Sequence, residues 1–143
     1  MTQKNGVVKL ASYLLDSNHA SPLVTLSHPL RRLVQAEVSQ AHTFAIAIPI
    51  LTETLFGLST LPRAAQNLEE WYRLRQYISC FIPDEDDAQL AAELQTALRG
   101  RGRQLGTVDA LIAAVALRYD LILLSTDRDF EPITELKREN WLD

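Results

Sequence analysis

The strongest constraint on the fold is an alternation of short, solidly apolar runs with longer segments whose apolar residues recur at helical spacing. Leu121, Ile122, Leu123 and Leu124 form an unbroken apolar run. Such continuity predicts a strand covered on both faces, as in a parallel sheet. Before it, Val108, Leu111, Ile112, Val115 and Ala116 repeat at helical spacing as far as Tyr119, with Thr107 as the expected N-cap.

The same pairing runs through the rest of the chain. Tyr13, Leu14 and Leu15 predict a buried strand over residues 11–16, closed by Asp16 and the turn-prone Ser17 and Asn18. Pro29 opens a helix with Leu30, Leu33, Val34, Val38 and Ala41 on one face. Residues 44–48 read as a second strand, and Pro49 starts a helix running through Gly57. A further helix is expected from Pro62 to Ile78, with Leu68, Trp71 and Tyr72 on its inward stripe. Residues 80–82 predict a third strand. Asp84, Glu85, Asp86 and Asp87 then mark a solvated helix start, where the macrodipole favours negative charge, and Gly100 and Gly102 release that helix. A last extended piece is expected over 136–141. Strands alternating with helices imply one α/β domain over residues 1–143, a mostly parallel sheet flanked by helices.

Composition narrows the function classes. With 14 Lys and Arg against 18 Asp and Glu, the net charge is −4. That balance argues against a protein that coats nucleic acid through a basic face. The longest apolar run, residues 110–117, is far short of the roughly 20 residues of a membrane span, so no membrane association is expected. No basic leader with an apolar core opens the sequence, and Cys80 is the lone cysteine. A reducing, cytoplasmic setting is the expectation.

Ligands of open parallel sheets collect outside the carboxyl ends of the strands. Asp16 and Asp127 follow two of the apolar strands, while Glu53 and Asp109 lie in early turns of helices that start at the same sheet edge. Taken singly, Glu53 and Asp109 are ordinary dipole partners, and Asp16 and Asp127 ordinary turn formers. Together they are expected to converge on one place, where carboxylates repel unless protonated or neutralised by a cation. Mg²⁺ and Mn²⁺ suit oxygen donors and can activate water toward a phosphodiester. The three histidines lack metal-ligand spacing, and His19 reads as a loop residue. Neither a nucleophilic triad nor a glycine-rich phosphate loop is apparent.

Four blocks, in order, carry a resemblance. Tyr13-Leu14-Leu15-Asp16-Ser17-Asn18 resembles the opening strand of PIN-domain nucleases, and Thr52-Glu53-Thr54-Leu55-Phe56-Gly57 their second block. Thr107-Val108-Asp109-Ala110-Leu111-Ile112-Ala113-Ala114 resembles their Asp-Ala-Leu-Ile-Ala-Ala signature. Ser125-Thr126-Asp127-Arg128-Asp129-Phe130 is similar to their Thr-x-Asp-x-Asp-Phe. Serine stands at 17 and 125 where threonine is usual, and the segment from His19 to Pro22 is less apolar than the usual helix start. Residues 1–9 form an N-terminal extension without a counterpart.

This resemblance, closest to VapC-type toxins of toxin–antitoxin pairs, implies a three-layer PIN-like fold and an Mg²⁺- or Mn²⁺-dependent endoribonuclease. It implies that Asp16, Asp109 and Asp127 hold the metal directly or through water and that Glu53 completes the acidic pocket. Asn18 and Ser125 would orient ligands, and Asp129 would be an auxiliary acid. Arg101 and Arg103, with Arg99, are the expected RNA contacts, whereas Lys137 and Arg138 read as ordinary surface charges. A cognate antitoxin and a homodimer are the implied protein partners, with the Trp71 and Tyr72 helix as a contact surface or, alternatively, core. Two other readings compete. A catalytically silent PIN-like RNA- or protein-binding module should lack one of the acids, and all four are present. A phosphoryl-accepting receiver domain would need a lysine directly after a late strand, and Leu124 is followed by Ser125, Thr126, Asp127 and Arg128 instead.

Overall fold

The computed structural model describes residues 2–4 and 7–143. Five strands form one all-parallel sheet: β3 (Ser12–Leu15), β4 (Thr43–Ala47), β5 (Ile78–Phe81), β6 (Ile122–Leu124) and β7 (Arg138–Glu139), in the order β5-β4-β3-β6-β7. The chain therefore winds outward from β3 through β4 to β5, then returns to lay β6 and β7 on the other side. The strand order reverses between β3 and β6, and a crevice at their carboxyl ends follows from that reversal. Helices α1 (Ser17–Ala20), α2 (Pro29–Ser39), α3 (Ile48–Thr60), α4 (Ala64–Arg75), α5 (Glu85–Arg99) and α6 (Thr107–Arg118) flank the sheet. This is the expected α/β architecture, with the sheet parallel throughout.

Burial explains the unbroken apolar strands. Leu14, Leu15, Ile46, Leu123 and Leu124 are wholly inaccessible because the sheet is covered on both faces. Helix α6 packs against α5 and buries Ala110, Ile112, Ala113, Ala114, Val115 and Ala116, so it is apolar nearly all round. Among the described residues, no helix is long and apolar enough to cross a membrane.

Of the expected N-terminal extension, residues 1, 5 and 6 lie outside the described residues. The remainder forms β1 (Thr2–Lys4) and β2 (Val7–Lys9), which pair antiparallel as a separate two-stranded sheet.

Several local expectations are corrected. Gly106, not Thr107, is the N-cap of α6 and makes no side-chain cap bond. The Thr107 hydroxyl instead accepts from Gln95 Nε2 at 3.3 Å, and the same amide donates to the Leu105 carbonyl at 3.0 Å. Helix α4 begins only at Ala64, after Arg63 in the left-handed region at φ 62°. Trp71 and Tyr72 do not share a face: they stand about 100° apart around α4, with Trp71 fully buried and Tyr72 64% exposed. Trp71 is thus core and unavailable to a partner. The acids at 84–87 are not all solvated. Asp84 and Asp87 form a capping box, and the buried Asp87 carboxylate accepts from Arg118 Nη1 at 2.8 Å. The extended piece expected over 136–141 narrows to β7, and β5 starts two residues before the expected strand.

Candidate active site

The crevice between β3 and β6 is built from both ends of the chain. The Asp16 N–H donates to the Leu124 carbonyl at 3.0 Å, which continues the β3–β6 ladder by one bond. Asp16 then caps α1, its Oδ1 accepting from the Ser17 N–H at 2.8 Å. Its Oδ2 accepts the Ser125 hydroxyl at 2.6 Å and the Asn18 side-chain amide at 3.4 Å. Ser125, wholly buried, also accepts the Asp127 N–H at 3.0 Å. Asp127 in turn caps the short 3₁₀ turn Arg128–Phe130, its Oδ1 accepting from the Asp129 N–H at 2.8 Å. Residues 125–129 therefore form a chain of hydroxyl and carboxylate caps that aims successive acids at one point.

Asp109 enters from the first turn of α6. Carboxylate oxygens of Asp109, Asp127 and Asp129 lie within 4.8 Å of one another. The carboxyl of Asp109 is pushed up to about 6, first by burial and then by the charges of Asp127, Asp16, Asp129 and Glu53. Glu53, exposed on α3, is thus near enough to belong to the same negative field. Among the described residues, no lysine, arginine or histidine forms an ion pair with any of these five acids.

The donor set fits a hard divalent cation. Three carboxylates offer oxygen atoms at one point without a protein counter-charge, the condition under which a metal relieves mutual repulsion. Asp109 and Asp127, both expected from sequence, are in this cluster, and Asp129 joins them. Asp16 stands one step back, joined to the cluster through Ser125. Asp129 had a signal in its spacing, since an acid two residues after a capping Asp falls on the same tight turn.

Two residues expected to lie outside the site support it. His19 is not a loop residue: it sits in α1, wholly buried. Arg138 is not a plain surface charge, because its Nη1 donates to the Ser125 carbonyl at 3.1 Å. Arg99, the last residue of α5, and Arg101 and Arg103 in the loop before α6 are all exposed, on the approach to Asp109. Arg101 Nη2 donates to the Pro132 carbonyl at 2.9 Å, which ties that loop to the segment beyond Asp129.

A parallel α/β sheet with carboxylates gathered where its strand order reverses defines a class of acidic-crevice proteins. The PIN domain family model matches residues 13–136, and the chain belongs to that family. No curated protein sequence matches the chain. Among solved structures, the chain is similar to one in VapBC2 from Rickettsia felis bound to a DNA fragment from their promoter. That match has 23% identity and a TM-score of 0.78, covering 91% of this chain and 98% of the other. VapBC-1 from nontypeable Haemophilus influenzae matches at 21% identity and a TM-score of 0.74, over 92% and 99% of the two chains. VapC20 from Mycobacterium tuberculosis, described as a sarcin-ricin loop cleaving toxin, matches at 16% identity and a TM-score of 0.61, over 85% and 94%.

Proposed function

We propose that this PIN-domain protein is a metal-dependent endoribonuclease acting as the toxin of a toxin–antitoxin pair. The observation that carries the reading is the convergence of Asp109, Asp127 and Asp129 within 4.8 Å, with Asp16 and Glu53 adding to the same field. Asp16, Asp109 and Asp127 hold Mg²⁺ or Mn²⁺ directly or through water, Asp129 offers a further oxygen, and Glu53 closes the acidic pocket. When bound, the ion supplies an activated water and neutralises charge on a phosphodiester.

The chain's own residues prepare that site. Ser125 holds Asp16 by its hydroxyl and Asp127 by its oxygen, so two acids share one rigid support. Asn18 donates to both Asp16 and Ser125 at 3.4 Å, which fixes them against rotation. Arg101 and Arg103 meet the RNA phosphates on the approach to α6 and position the strand without reading its bases. The likeness to chains solved as VapBC complexes supports an antitoxin partner, and that to a sarcin-ricin loop cleaving toxin supports an RNA substrate. A homodimer and a cytoplasmic location complete the proposal.

The test is cleavage of RNA by purified protein with Mg²⁺ or Mn²⁺, beside EDTA and the Asp109→Asn variant. Cleavage that needs the metal and is lost in the variant is the expected result. Equal cleavage by the variant overturns the site. Metal binding without cleavage favours a silent binding module.

A further inference from the structure

His19 lies outside the acids that define the site, yet it is wholly buried beside them, at a position where the family resemblance leads one to expect a less polar helix start. Its two ring nitrogens are both engaged. The Trp141 backbone N–H donates to Nε2 at 3.0 Å. A backbone amide can only donate, so Nε2 carries no proton and the neutral ring must hold its proton on Nδ1. Nδ1 lies 2.6 Å from Asn18 Oδ1 and therefore donates to it.

That bond decides which way the Asn18 amide faces. Oδ1 accepts from His19 and from the Thr126 N–H at 3.3 Å, leaving Nδ2 to donate to Asp16 Oδ2 and Ser125 Oγ. A flipped amide would set N–H donors against N–H donors and its oxygen against a carboxylate. Trp141 is itself fixed. Its indole N–H donates to Glu139 at 2.9 Å, and its ring meets Tyr13 edge-on at 4.9 Å between centroids. Burial holds the ring neutral, with its pKa lowered to about 4.

We propose that His19 is a positioning residue that transmits the docking of the Trp141 segment to the acidic crevice by orienting Asn18 against Asp16 and Ser125. The effect on metal binding rests on the function proposed above, whereas the hydrogen-bond relay does not. Loss of such an outer contact weakens metal binding by about 10–100-fold in other sites.

The experiment combines two readouts on the full chain. Nitrogen-15 NMR of the metal-free protein reads the His19 tautomer and the Asn18 side-chain amide. Mn²⁺ titration then compares wild type with His19→Leu, His19→Gln, Asn18→Ala and the His19→Leu/Asn18→Ala double variant. The expected tautomer carries its proton on Nδ1, and the Asn18 amide signals shift in His19→Leu. Mn²⁺ affinity should fall about tenfold in His19→Leu, recover in His19→Gln, which keeps a donor and an acceptor, and fall no further in the double variant. An Nε2-protonated ring, an unshifted Asn18 amide, or additive losses in the double variant overturn the inference. A wild type that binds no Mn²⁺ overturns the metal reading instead, and the NMR readouts still decide the relay. If His19→Leu fails to fold, the wild-type tautomer and His19→Gln carry the test.

Discussion

The Ser125 hydroxyl donates to Asp16 at 2.6 Å across 109 positions of sequence. Because the same oxygen accepts the Asp127 N–H, one small side chain sets the spacing between an acid after β3 and an acid after β6. Ser125→Ala should therefore cost more than one hydrogen bond. It leaves a buried Asp16 oxygen without its closest donor and frees Asp127, and Mn²⁺ affinity should fall about 10–100-fold. Ser125→Thr keeps the hydroxyl and should restore most of it. Calorimetric Mn²⁺ titration of the two variants separates the hydroxyl from the side chain's volume.

Asp109 carries a cost that the metal-free protein cannot relieve. Its folded pKa, about 6, lies above the value of about 4 for an unfolded carboxyl. The folded state thus binds the proton more tightly, and the penalty of ionising Asp109 grows as pH rises from about 4 through about 6. Asp109→Asn removes that penalty. In EDTA the variant should melt above wild type at pH 8, with a smaller difference near pH 4; with Mn²⁺ present instead, its RNA cleavage should be lost. Thermal unfolding at the two pH values checks the sign.

His19 works in the opposite direction. Its folded pKa of about 4 is below the unfolded value of about 6.5, so its contribution is undiminished above pH 6.5. It is lost as pH falls toward 4, where the unfolded chain takes up a proton that the folded ring refuses. His19→Gln should flatten that part of the acid-unfolding curve. Denaturant midpoints at pH 7 and pH 4.5 for both proteins give the comparison, and equal slopes would remove His19 from the account.

Arg118 is the counter-charge to a buried acid. Its guanidinium holds Asp87, whose side chain is 1% exposed, and Asp84 at 2.8 Å each. Arg118→Met leaves Asp87 with the Asp84 N–H at 2.9 Å but no cation. A lower urea midpoint is expected, with part recovered on adding Asp87→Asn, because the buried carboxylate is otherwise left without its cation. Urea unfolding of the single and double variants measures it.

What the sequence disclosed follows from which signals are local. The apolar runs at Leu14 and Leu123 announced buried parallel strands because a strand covered twice has no polar face to show. The sheet-edge placement of Asp16, Asp109 and Asp127 was legible because each follows a strand or opens a helix there. Trp71 and Tyr72 were misplaced together because a helix face turns about 100° with each residue, and neighbours cannot share a narrow stripe. Asp87 was hidden among three exposed acids, since only the later Arg118 distinguishes it. His19 gave no local sign beyond its closeness to Asp16 in the chain, and Arg138 gave none. Their partners, Trp141 and Ser125, lie 122 and 13 residues away, and only the completed sheet brings them near.

The central strand β3 acquires its β6 neighbour only after β4, β5 and all six helices have been made. Leu15 pairs with Leu124, and Asp16 closes on Ser125 one step further on. At a synthesis rate of roughly 5–20 residues per second, β3 waits about 5–20 s with that edge open. During this interval β4 and β5 can already align beside it, whereas the crevice has only its Asp16 and Glu53 side. Any chemistry the acids perform is thus withheld from the nascent chain until its last quarter has emerged from the ribosome, a timing set by strand order alone.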